Sequence, residues 1–157
     1  MNGSAATIFA VGAILTSNVL AQNGGTSCAT ATVVIPGVTY TADTTGAPNW
    51  MASFGPLVSP SNDVVYTVTF NGVGFPALTP TASNYQFAMY LIPSCTSGAE
   101  PTPLRATATI GNAIDFSGLA AGTYYLAVTG IAAGGPSANG TVTFSGFPAT
   151  LQSFEVD

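Results

Sequence analysis

Apolar and polar side chains alternate in short runs along most of this chain, and the runs are separated by Gly, Pro, Ser and Asn. A period of two puts successive side chains on opposite faces of an extended strand. Val64, Tyr66, Val68 and Phe70 share one face, with Val65, Thr67 and Thr69 on the other. Tyr85, Phe87, Met89 and Leu91 form a second such row, and Tyr124, Leu126 and Val128 oppose Tyr125, Ala127 and Thr129. These rows predict central core strands over 63–70, 85–92 and 123–129. Shorter runs predict further strands over 30–35, 38–42, 104–110, 113–116, 140–145 and 151–156. Apolar residues nowhere recur at helical spacing. The expected fold is therefore all-β: a single β-sandwich of about eight or nine strands over residues 23–157, jelly-roll or immunoglobulin-like, with a barrel as the alternative.

Two stretches interrupt the pattern, 44–62 and 71–84, and read as long irregular connections. The first holds the only tryptophan, Trp50, together with Met51, Phe54 and Leu57. It is too apolar to lie free in water. Either it covers one end of the sandwich, or Trp50 and Phe54 present an aromatic contact for a sugar or a neighbouring subunit.

The first 22 residues stand apart. Ala5 to Leu15 form an apolar run, followed by Val19-Leu20-Ala21, the small-residue pattern of a signal-peptide cleavage site, although Met1 to Gly3 carry no Lys or Arg. The run is short for a membrane span. Three readings stay open: a cleaved signal, a membrane anchor, or a retained strand. As a strand it would be apolar on both faces and would need burial on both, which addition to a neighbour's sheet would supply. In that reading Ile8, Phe9, Val11, Ile14 and Leu15 make the subunit contact.

Charge narrows the chemistry. Of 157 residues only seven are charged (Asp43, Asp63, Glu100, Arg105, Asp115, Glu155 and Asp157), and there is no histidine. Without imidazole there is no Ser-His-Asp triad and no His-ligated zinc. A single Arg cannot neutralise a row of phosphates, so nucleic acid is excluded as a partner. Glycoside hydrolysis needs two facing carboxylates, and none of the six acids sits in a catalytic pattern. No catalytic residue, metal or cofactor is expected. Asp43 and Asp63 could contribute to a calcium site, but they read more simply as a turn cap and an acceptor for loop amides at the start of a strand. With 47% hydrophobic residues and mean hydropathy +0.46, the exterior has to be built from Thr, Ser, Asn, Gln and Gly, which hydrate but do not repel. Copies of the chain can approach one another without electrostatic cost.

The two cysteines, Cys28 and Cys95, allow one intrachain bond, and the export-like N-terminus predicts that it forms; two buried thiols are the alternative. Asn139-Gly140-Thr141 matches the N-glycosylation pattern, and Asn139-Gly140 also reads as turn chemistry.

Four segments come in a familiar order: NGGTSCATATVVIPGVTYTADTT from Asn23, NDVVYTVTF from Asn62, FAMYLIPSC from Phe87 and GLAAGTYYLAVTG from Gly118. Together they cover about Asn23 to Phe147 and resemble the bacterial pre-peptidase C-terminal domain family. The resemblance implies a secreted, non-catalytic β-sandwich of the kind appended to extracellular enzymes to assist attachment. Two functions are thus expected. The first is an extracellular structural subunit that polymerises with itself into a fibre or surface layer. The alternative is a secreted adhesive or polysaccharide-binding module.

Overall fold

The computed structural model describes residues 23–59, 61–73, 76–96, 98–131 and 139–146. They form β1 (Thr32–Val33), β2 (Thr39–Asp43), β3 (Met51–Phe54), β4 (Leu57–Val58), β5 (Asp63–Phe70), β6 (Ala77–Ser83), β7 (Phe87–Ile92), β8 (Gly98–Glu100), β9 (Arg105–Thr107), β10 (Ile114–Asp115), β11 (Gly122–Gly130) and β12 (Thr141–Ser145). A five-stranded sheet in the order β1-β5-β11-β7-β9 packs on a four-stranded sheet in the order β10-β6-β12-β2. A small third sheet, β4-β3-β8, lies outside this pair.

The pairing decides which sandwich this is. Leaving out β1 and the small sheet, eight strands remain. They pair antiparallel as first with last (β2 with β12), second with seventh (β5 with β11), third with sixth (β6 with β10) and fourth with fifth (β7 with β9). One long hairpin rolled on itself gives that nesting, so the fold is a jelly roll.

The core between the sheets follows from the alternation. Val64, Tyr66, Val68 and Phe70 from β5, Leu126 and Val128 from β11, and Met89 and Leu91 from β7 meet Tyr40 and Ala42 of β2, Val142 and Phe144 of β12, Leu78 and Ile114. Tyr66 touches Phe144 edge-on across the sheets at 5.1 Å between ring centres, and Phe144 stacks on Tyr40 at 5.4 Å. Such aromatic contacts add to the burial itself.

Several expected boundaries move, each for a local reason. The strand expected over 30–35 shrinks to Thr32–Val33, because Cys28–Thr30 close a 3-10 turn whose cap is shared by Ser27 and Thr30. The one over 85–92 starts at Phe87, because Ser83 Oγ accepts the Tyr85 N–H and donates to its carbonyl, holding a turn there. That over 104–110 stops at Thr107, and Gly111, at φ +83°, turns the chain beyond it. The strand expected over 151–156 lies outside the described residues. The two stretches read as irregular contain structure. The first holds the hairpin β3–β4, whose two-residue loop has Gly55 at φ +60° in the position a hairpin turn reserves for glycine. The second holds β6, which takes Pro80 into a sheet where the register with β12 shifts between Thr143 and Phe144.

Candidate functional site

The outer face of the five-stranded sheet is covered at one end. Val65, Ile92 and Ala127 point away from the main core into a second cluster with Met51 and Phe54, joined by the half-buried Trp50, Tyr90 and Tyr125. Phe54 lies against Tyr90 with ring centres 4.5 Å apart. The stretch 44–62, expected either to cover one end of the sandwich or to present Trp50 and Phe54 as an aromatic contact, places Met51 and Phe54 over the outer face of the five-stranded sheet. Phe54 is fully buried, and the Trp50 ring packs on the same cluster with its indole N–H enclosed.

Polar anchors hold this cover. Asp63 is buried at the start of β5, and its Oδ2 accepts the Met51 N–H at 2.8 Å. Ser59 Oγ bonds to Thr129 Oγ1 at 2.8 Å beside it. Burial pushes the Asp63 carboxyl up to about 6, opposed by hydrogen bonds from Met51, Thr129, Trp50 and Ser59. The expectation that Asp63 receives loop amides and Asp43 caps a turn matches the structure: Asp43 Oδ1 accepts the Thr45 N–H at 2.9 Å. At the other side of the cover, Cys28 and Cys95 are bonded. The buried Glu100 accepts the Thr96 N–H with both carboxylate oxygens, at 3.0 and 2.9 Å. Its carboxylate lies close to both sulfurs, but these are spent in the disulfide and offer no thiolate.

The exterior carries little charge. Of the five charged residues described, Asp63 and Glu100 are buried, and Arg105 faces Asp115 at 3.9 Å across the edges of the two sheets. Arg105 also donates to Leu104 O and Ser117 O, both at 2.8 Å, so the single basic residue serves to close that side of the sandwich. Asp43 is left as the turn cap. The outward positions of the four-stranded sheet are hydroxyl-rich: Thr39, Thr41, Thr141, Thr143, Ser145 and Thr79. They lie in cross-strand rows, Thr39 by Ser145 by Thr79 and Thr41 by Thr143.

At one end of the sandwich lies an open groove of about 630 Å³, lined by Ser83, Tyr85, Gln86, Phe87, Ala108, Thr109, Ile110 and Ile131. Its lining holds no charged side chain. Ile131 N–H donates to Gln86 O at 3.0 Å, which fixes one wall to the floor. Sequence reasoning missed this groove, because its residues come from three separate connections.

Asn139 is exposed, and its Oδ1 accepts the Asn62 N–H at 3.3 Å. Gly140 is there for close approach and not for a turn: a Cβ on it would come within 2.2 Å of Asn84 Oδ1. Ile8, Phe9, Val11, Ile14 and Leu15, the expected subunit contact, lie outside the described residues. Among the described residues no helix is long and apolar enough to cross a membrane. Compared with known protein families, with curated proteins and with solved structures, the chain matches none.

Proposed function

We propose that this protein is a non-catalytic extracellular structural subunit that associates with copies of itself into a fibre or surface layer. The observation that carries the reading is the state of its charges. Of the described carboxylates two are buried, the one cation is paired, and the outward face of the four-stranded sheet is a hydroxyl array with Asp43 alone at its rim, so copies meet with little like-charge repulsion. The Cys28–Cys95 bond suits an oxidising compartment, and the resemblance to the pre-peptidase C-terminal family implies the same extracellular setting. The described jelly roll has its full strand order without residues 1–22. Side-chain surfaces and donation of the N-terminal strand to a neighbour are two routes to the same assembly.

Sedimentation velocity over a range of concentrations tests this. The average mass should rise with concentration and stay unchanged from low to near-molar NaCl, because apolar and hydroxyl contacts are little screened by salt. A chain that stays monomeric, or an assembly that moderate salt dissolves, would end the proposal.

A further inference from the structure

Large apolar side chains exposed on the described surface fall into a few places. Val73, 74% exposed, stands alone in the turn after β5. Val33 and Ile35, 58% and 50% exposed, flank the buried Val34 and so project together as a ridge. Ile110 and Ile131, 44% and 36% exposed, are both walls of the groove described above. A ridge and a groove, each apolar and each free of charged side chains, thus occur on one molecule.

Their placement matters as much as their chemistry. The ridge runs from Val33, in the strand β1 at one edge of the five-stranded sheet, to Ile35 just beyond it. The groove is formed at the far side of that sheet, by Phe87 of β7 and by Thr109 and Ile110 just beyond β9, the strand at its other edge. The β1 backbone is not open for strand addition. Tyr40 Oη donates to Val33 O and accepts the Ile35 N–H at 2.6 Å, closing that edge and leaving the side chains to make any contact. The most exposed apolar walls of the groove, Ile110 and Ile131, are branched aliphatics. Of its two aromatic rings Phe87 is buried and Tyr85 half-buried, whereas sugars stack on flat, open aromatic faces. That favours an apolar protein segment as the occupant.

We infer that the Val33–Ile35 ridge of one copy seats in the Ile110/Ile131 groove of the next, a contact that rests on the self-association proposed above and specifies it. Because the two patches differ and lie at opposite sides, the contact is heterologous and extends as an open series unless it closes into a ring. An open series of this kind keeps one unfilled groove at one end and one bare ridge at the other.

The test uses the full chain and two sets of charge substitutions, Val33→Glu with Ile35→Glu on the ridge and Ile110→Glu in the groove, all at exposed positions. Thermal unfolding checks that both variants keep the wild-type fold, and Ile110→Gln, milder at the same site, replaces the groove variant should it unfold. Each variant alone should associate at least about tenfold more weakly than wild type, the result of placing a charge in an apolar contact. Mixed in equal amounts, the two variants should form dimers and stop there, since each retains the half the other lacks. Three results would overturn the inference. If wild type associates and both variants associate equally well, the contact lies elsewhere and only this inference falls. If wild type is monomeric, the proposed function falls with it. If a neutral oligosaccharide binds wild type and Ile110→Glu abolishes that binding without changing association, the groove is a ligand site.

Discussion

The two apolar clusters of this protein sit on opposite faces of the same sheet and are built differently. The inner one joins two sheets and is almost wholly side-chain packing: Tyr40, Tyr66 and Phe144 are fully buried and touch through their rings. The outer one, around Met51, Phe54, Val65, Ile92 and Ala127, is thin, and its cover is tied down by Asp63, by Ser59 with Thr129, and by the Cys28–Cys95 bond. A regular sheet brings its backbone partners with it. A loop-built cover must find its anchors in individual side chains and a crosslink. The inner cluster should therefore resist changes of solution conditions, and the outer one should respond to pH and to reductant.

The largest effect is expected from the inner cluster. Phe144→Ala should lower the free energy of unfolding by about 3–5 kcal/mol, as for other buried aromatics, while Phe54→Ala should cost less because the thin cover can collapse into the space it leaves. Urea unfolding of both variants measures this. Equal losses would mean that the cover is as integral as the core, and the contrast between the faces would fail.

Next comes the disulfide. It closes a loop of 67 residues between the turn before β1 and the segment after β7. Reduction should cost about 4 kcal/mol in the chain-entropy view, a model-dependent figure. Hydrogen exchange on the reduced protein should show protection lost first in β3 and β8, with β5 and β11 holding longest. Uniform loss across the molecule would contradict the division into two regions.

The smallest effect sharpens the role of Asp63. Its folded value, about 6, lies above the ordinary 3.8, so between those values the folded state holds more protons than the unfolded one. Stability therefore rises as the pH is lowered from 7 towards 4, by at most about 3 kcal/mol. Asp115, held low by Ser117, titrates below that window. Asp63→Asn should flatten the profile. Urea midpoints at pH 7 and pH 4.5 decide it, and a wild type that weakens on acidification would show that the buried charge is favourable as it stands.

What the sequence determined by itself is the set of strands whose two faces differ. The strand over Asp63–Phe70 is found as predicted, and Gly122–Gly130 differs from expectation by one residue at each end, because alternation is local and burial on one face enforces it. The bond between Cys28 and Cys95 was legible too, there being a single way to pair two cysteines. The cover was half legible: an apolar 50–57 had to pack on something, and Gly55-Pro56 between Phe54 and Leu57 was the overlooked hairpin signal. Only tertiary structure decided the rest. β8 is a strand because β3 lies alongside it in parallel, a pairing between segments far apart in sequence that no local pattern announces. Glu100, Ser59 and Thr129 became anchors because folding removed them from water, where an unpaired polar group is costly. The groove exists because three connections end at the same end of the sandwich, and the order of strands in space, not along the chain, put them there.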